Sequence, residues 1–205
     1  MNNIDQIIIS FENTFFKPYL SHEHSPFSEK EKSTLPRKSK KIAADLMRVN
    51  HSGEVAAQAL YLGQIIATDD PNTKIKLKDA ANEELDHLKW CSVRLAELED
   101  KPSLLSPLWF IGCLSLGYFV GKFGDEYSFS FLAETESQVA DHIKDHLEKL
   151  PKEDHTSKKI LNQMLEDEIS HRDNAYKSSN KDLPQTLKNL MRFGGHCLRK
   201  LSLRI

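Results

Sequence analysis

The sequence predicts an all-α protein built on a four-helix bundle, and three observations carry that expectation. No stretch alternates apolar and polar residues with period two, whereas long stretches repeat apolar residues at helical spacing. Breakers are scarce and stand where helices should end, at Pro71, Pro102, Pro107, Pro151 and Pro184. Four of the helical stretches also carry a glutamate on an otherwise apolar face.

Taken in order, Ile4, Ile7, Ile8, Phe11 and Phe15 form one side of a short amphipathic helix. Residues 18–36 hold three prolines with serines and mixed charges and read as a linker, so 1–36 is expected to stand apart from a domain over 37–205. Core helices are expected over 38–68, 72–100, 125–150 and 155–178, with an apolar connector over 102–124 and a basic amphipathic tail over 185–205.

A chain of 205 residues is long enough to bury a substantial core. With 28% charged and 39% hydrophobic residues its composition is that of a globular domain, and a net charge of −2 supplies no global basic field for nucleic acid. Cys91, Cys113 and Cys197 are odd in number and widely spaced, which suits reduced thiols. Asp5 and Glu12 flank the first apolar run without a basic leader, so a secretory signal is not expected and a cytoplasmic compartment is.

The helical period decides which polar residues face inward. On the second core helix Leu77, Ala80, Ala81, Leu88, Cys91, Leu95 and Leu98 form a stripe that also contains Glu84 and His87. On the fourth, Ile160, Leu161, Met164 and Ala175 share a stripe with Glu168 and His171. Glu54 aligns with Met47, Gln58, Tyr61 and Ile65, and Glu136 with Phe129, Leu132, Ala133, Ala140, Ile143 and Leu147. Glu54 precedes Glu84 by 30 residues and Glu136 precedes Glu168 by 32, so each half reads as a hairpin with Glu on one helix and Glu-x-x-His on the next.

Isolated ionised carboxylates on four buried faces would be costly, and two divalent cations resolve the problem with neutral imidazoles completing their shells. One Glu-x-x-His pair is commonplace on a solvated helix; two on apolar stripes, each behind an inward Glu at matched distance, are not. An oxygen-rich set with one imidazole per ion favours iron or manganese over zinc. Asp167 reads either as a hydrogen-bond acceptor for His87 or as a solvated acid, and Tyr61 as cavity lining or core filler. Gly53, a weak helix former beside Glu54, suggests room for metal or substrate. His51 and His142 read as packing or supporting residues, and His22, His24, His146, His155 and His196 as solvent-exposed.

Pro102 to Gly121 runs 20 residues without a charge, between Lys101 and Lys122. Its prolines, serines and glycines argue against a true membrane span, leaving a helix that dips into a membrane surface or lines a greasy channel, or an ordinary core helix. In the tail Leu187, Leu190, Met191, Gly194, Leu198, Leu201 and Ile205 share one face, and Lys188, Arg192 and Arg199 another, with His196 and Lys200 nearby. That pattern suits a basic helix on an anionic membrane, or a packed helix with a solvated basic rim. Together the two segments point to a hydrophobic substrate taken from a bilayer.

Arg48-Val49-Asn50-His51-Ser52-Gly53-Glu54 and Glu83-Glu84-Leu85-Asp86-His87-Leu88-Lys89-Trp90-Cys91 resemble the demethoxyubiquinone hydroxylases of ubiquinone biosynthesis. So do Ala133-Glu134-Thr135-Glu136 and Glu166-Asp167-Glu168-Ile169-Ser170-His171, and the likeness runs from about residue 37 to the C-terminus. The resemblance implies a ferritin-like bundle with two iron ions on Glu54, Glu84, His87, Glu136, Glu168 and His171, Glu84 and Glu168 bridging. Glu134 competes with Glu136, which the inward stripe and the spacing prefer. The implied substrate is 2-polyprenyl-3-methyl-6-methoxy-1,4-benzoquinone as its quinol, hydroxylated with O2 so that one oxygen enters the ring and the other leaves as water. NADH is implied as the electron source, relayed through the quinone, although no Gly-x-Gly-x-x-Gly fingerprint is present. The implied setting is peripheral, on the cytoplasmic face of a bacterial inner membrane, with ubiquinone-biosynthesis accessory proteins as further partners. Rubrerythrin-like peroxidases, manganese catalases, acyl-carrier desaturases and ferritin-type iron stores share the ligand logic, but none needs a membrane-facing surface. A metal-free structural bundle is the remaining rival.

Overall fold

A computed structural model of the chain describes residues 2–16, 27, 35–179 and 181–203. Among them are seven helices: α1 (Asn3–Phe15), α2 (Arg37–Ala67), α3 (Pro71–Glu97), α4 (Ser106–Lys122), α5 (Asp125–Lys149), α6 (His155–Lys177) and α7 (Gln185–Ser202). The fold is all-α, and the core helices lie within a few residues of the expected spans. Most of the linker, with His22, His24 and Ile205, lies outside the described residues.

Local chemistry sets the boundaries. Asp70 caps α3 by accepting from the Thr73 N–H at 2.6 Å, with Pro71 at the first helical position. Asp154 caps α6 through the Ser157 N–H at 3.0 Å. Between α4 and α5 the chain turns at Gly124 with φ of 105°, a conformation glycine adopts without strain.

Helices α2 and α3 form one antiparallel hairpin and α5 and α6 the second. The hairpins face each other with α2 antiparallel to α5: the Thr68 hydroxyl donates to Asp125 near one end, and Asn50 meets His142 and His146 near the other. The chain must therefore travel the length of the bundle between hairpins. Helix α4 makes that crossing, about 26 Å at 1.5 Å per residue, packed along α2. The packing is close enough to require glycine. A Cβ on Gly63 would run into the α4 backbone at Leu114 and Tyr118, and one on Gly117 into the backbone of Leu60. Of the three glycines that dilute the apolar segment in sequence, Gly117 and Gly121 thus let it lie against α2, whereas Gly112 meets nothing within 4 Å.

Two apolar clusters fill the bundle. Met47, Cys91, Leu95, Ile143, Ile160 and Met164 occupy one end, and Tyr61, Leu77, Phe129, Leu132, Ala133 and Ala175 the other. Helix α1 packs outside them through Ile7, Phe11 and Phe15, with both phenylalanine rings on Phe110 of α4.

Helix α7 lies across α2 and α5. Its far end is tied by the Trp109 indole donating to Ser202 at 3.1 Å and by Arg48 donating to the Leu203 carbonyl. Leu187 and Met191 turn inward, whereas Leu190 and Phe193 are exposed. Lys188 and Arg192 are not wholly free for an outside surface: they approach the buried Glu134 carboxylate at 3.6 and 3.5 Å. One histidine departs from expectation. His146 is buried, not solvent-exposed, because its ring turns into the α2–α5 interface beside Asn50 and His142.

Candidate metal centre

The four inward glutamates and two histidines are all buried and meet midway along the bundle, between the two apolar clusters. Glu54, Glu84, His87 and Glu168 present donor atoms that all lie within 4.8 Å of one another. His171 Nδ1 stands 2.8 Å from Glu84 Oε1 and 3.9 Å from Glu168 Oε2. Glu136 adjoins Glu168 and accepts a hydrogen bond from the Tyr61 hydroxyl at 2.9 Å on Oε1. The rival Glu134 faces α7 and the Gln138 amide instead, which leaves Glu136 as the inward member of that pair.

Each histidine is oriented by an acid from the opposite hairpin. His87 Nε2 lies 3.0 Å from Asp167 Oδ2, and His171 Nε2 lies 2.7 Å from Glu83 Oε2. Asp167 directly precedes Glu168, and Glu83 directly precedes Glu84, so the two contacts repeat the same exchange. Asp167 is therefore a partner of His87, not a free surface acid. Glu83 was not singled out by sequence reasoning; the matched position in the two hairpins is the signal that reveals it. These contacts hold each ring with Nδ1 aimed at the cluster.

The electrostatics fit a cation. Burial raises the Glu54 carboxyl well above the usual range, and the neighbouring Glu84 and Glu168 raise it further. Glu136 is raised by burial and then by Glu168. For Glu84 burial acts upward, but His87 and His171 outweigh it and hold the group below its ordinary value. Burial acts downward on both imidazoles and is overcome: chiefly Glu84 raises His87, and Glu168 and Glu84 push His171 up to about 12. Protons on the imidazoles thus stand where metal charge would otherwise balance the carboxylates.

A second observation points the same way. Glu84 Oε1, Glu168 Oε2 and His171 Nδ1 are buried without a hydrogen-bond partner, although His171 and Glu84 are close enough for an ion pair. Donor atoms gathered at one point but misaligned for one another are what a shared ion would satisfy. A Cβ on Gly53 would meet nothing within 4 Å beyond its own stretch of helix, but the residue is half-buried and points about 100° away from the inward Glu54, so this space is not room at the cluster. His51 and His142 stay outside the cluster; burial holds His51 neutral, down to about 4.

Two facing hairpins that bury glutamates and Glu-x-x-His pairs between apolar ends define a ferritin-like carboxylate bundle. The comparisons agree at the level of fold: the bacterioferritin-related dodecameric thioferritin of Bacteroides fragilis superposes with a TM-score of 0.57 at 18% identity, over 79% of this chain and 92% of that one. At the level of family, residues 41–202 match the model described as Ubiquinone biosynthesis protein COQ7, and the chain belongs to that family. It is 47% identical over 171 residues to the 3-demethoxyubiquinol 3-hydroxylase of Ralstonia pickettii, covering 83% of this chain and 79% of the relative. The proteins of the same name from Azoarcus sp. and Acinetobacter baylyi are 40% and 44% identical, over 98% and 92% of this chain and 99% and 90% of theirs.

Proposed function

We propose that this chain is a di-iron monooxygenase that uses O2 to hydroxylate the ring of a polyprenyl methoxy-benzoquinol, the substrate class named in its relatives. The observation that carries the reading is the buried group Glu54, Glu84, His87 and Glu168, with donor atoms within 4.8 Å and Glu136 and His171 beside it. Glu84 and Glu168 would be shared between two metal positions, with Glu54 and His87 on one and Glu136 and His171 on the other. Iron held there supplies the electrons that activate dioxygen.

The protein's own residues do the rest. Asp167 and Glu83 fix the imidazoles from outside, which also raises their basicity as ligands. The apolar clusters on either side would keep water from a ring held at the centre. NADH is taken as the electron source, acting by reducing the quinone.

We also take the protein to work as a peripheral protein on the cytoplasmic face of the bacterial inner membrane, where accessory proteins of ubiquinone biosynthesis would meet it. No helix among the described residues is long and apolar enough to cross a membrane. Support for surface attachment comes from Leu108, Ile111, Phe119 and Phe123 exposed on or beside α4, and from Leu190 and Phe193 exposed on α7 near Lys200. Removing residues 185–205 is expected to shift the protein toward the soluble fraction; an unchanged distribution would count against that role.

The test of function is lipid extraction from cells that lack this protein, paired with assay of the purified iron-loaded chain. Accumulation of the demethoxyquinone, and its conversion in vitro, are expected. Neither occurring would overturn the assignment.

A further inference from the structure

The two hairpins are alike in their ligands but differ one heptad further along. Seven residues after Glu54 stands Tyr61; seven after Glu136 stands Ile143. Because α2 and α5 run antiparallel, each of these positions faces the opposite helix's glutamate level. Tyr61, fully buried, donates its hydroxyl to Glu136 Oε1 at 2.9 Å, while Ile143 has no group with which to do the same for Glu54. Glu54 in turn is the glutamate whose donor atom already lies in the compact group with Glu84, His87 and Glu168.

We propose that Tyr61 makes the two metal positions unequal, so that the position at Glu54 and His87 fills first and the position at Glu136 and His171 binds its ion more weakly. This inference rests on the two-metal reading given above. A carboxylate oxygen that accepts a hydrogen bond from a phenol in a dry interior has less electron density for a cation, and the bond fixes the group's rotation. Glu136 therefore offers chiefly Oε2, whereas among the described residues no hydroxyl donates to Glu54, whose neighbours are the other ligand side chains Glu84, His87 and Glu168. Tyr61 is in this sense a positioning residue, acting on the centre through Glu136. The consequence is sequential loading, with one firmly held ion and one that exchanges.

The test is titration of chelator-treated full-length protein with Co2+, followed by ligand-field absorption and by calorimetry, in wild type and in Tyr61→Phe. The wild type is expected to bind two ions in two resolved phases. Tyr61→Phe, which keeps the ring and removes only the hydroxyl, is expected to tighten the second phase about tenfold, ~1.4 kcal/mol, and to leave the first unchanged. Two ions binding with equal affinity in the wild type would overturn the inference while leaving the two-metal reading intact, and this arm does not depend on the variant folding. A weaker second phase in Tyr61→Phe would also overturn it, since the hydroxyl would then be preparing Glu136 for metal. Fewer than two ions per wild-type chain would overturn the two-metal reading itself.

Discussion

Chelating the metal and raising the pH together should expose the charge balance of the centre. In the metal-free protein His171 is pushed from 6.5 up to about 12, so across pH 7–9 the folded state keeps a proton that the unfolded state has lost. A group whose folded pKa is raised stabilises below the unfolded value and loses that contribution as pH rises toward the folded one. Each such group removes about 1.4 kcal/mol per pH unit inside its window. His171 alone therefore lowers stability by roughly 2–3 kcal/mol between pH 7 and 9, allowing for the unfolded histidine still partly protonated at pH 7. His87, Glu54 and Glu136 are also raised and act with the same sign. His51 and His146, lowered to about 4 by burial, act with the opposite sign, but only through the small fraction of unfolded histidine still protonated at pH 7. With Mn2+ bound the ligands are deprotonated in the folded state, and stability should be nearly flat over the same range. Urea unfolding at pH 7, 8 and 9 under argon, with chelator or with saturating Mn2+, reads the difference. A flat or rising profile in the chelated protein would refute the charge assignment.

Three further outcomes are expected. Asp167→Ala should weaken metal binding by roughly 10–100-fold in a chelator competition, because His87 loses the group that orients it; Glu83→Ala should do less, since Glu83 is 63% exposed. Gly117→Val should destabilise the fold by about 3 kcal/mol in urea unfolding, because a side chain there collides with the Leu60 backbone. Glu134→Ala should loosen α7 by under about 1 kcal/mol, seen as faster hydrogen exchange over residues 185–202 with the bundle unchanged, because Lys188 and Arg192 lose their shared acceptor.

The helical period makes most of this architecture legible before any coordinates. It marks Glu54, Glu84, His87, Glu136, Glu168 and His171 because an ionisable residue on an apolar stripe has few places to go but inward. It separates Glu136 from Glu134, two residues apart and therefore on different faces. It is silent on contacts made between hairpins. Glu83 reads as a surface acid on its own helix, and only the packing of α6 against α3 brings it to His171. Tyr61 is visibly inward, but its choice of Glu136 depends on the antiparallel register of α2 and α5. Lone histidines are ambiguous for a related reason: His146 shares its helix with solvated neighbours, and its burial is decided by Asn50 on another. Gly117 and Gly121 of α4 dilute an apolar run in sequence, but the reason they must be glycine lies in their close approach to α2, which sequence does not show.

Anomalous diffraction at the iron edge, from crystals of iron-reconstituted protein, would locate the metal ions themselves. Two iron peaks are expected among the six side chains, both within bonding distance of Glu84 and Glu168, with one next to His87 and the other next to His171. A single peak, or iron bound only outside that cluster, would rule out a two-iron centre on these six residues.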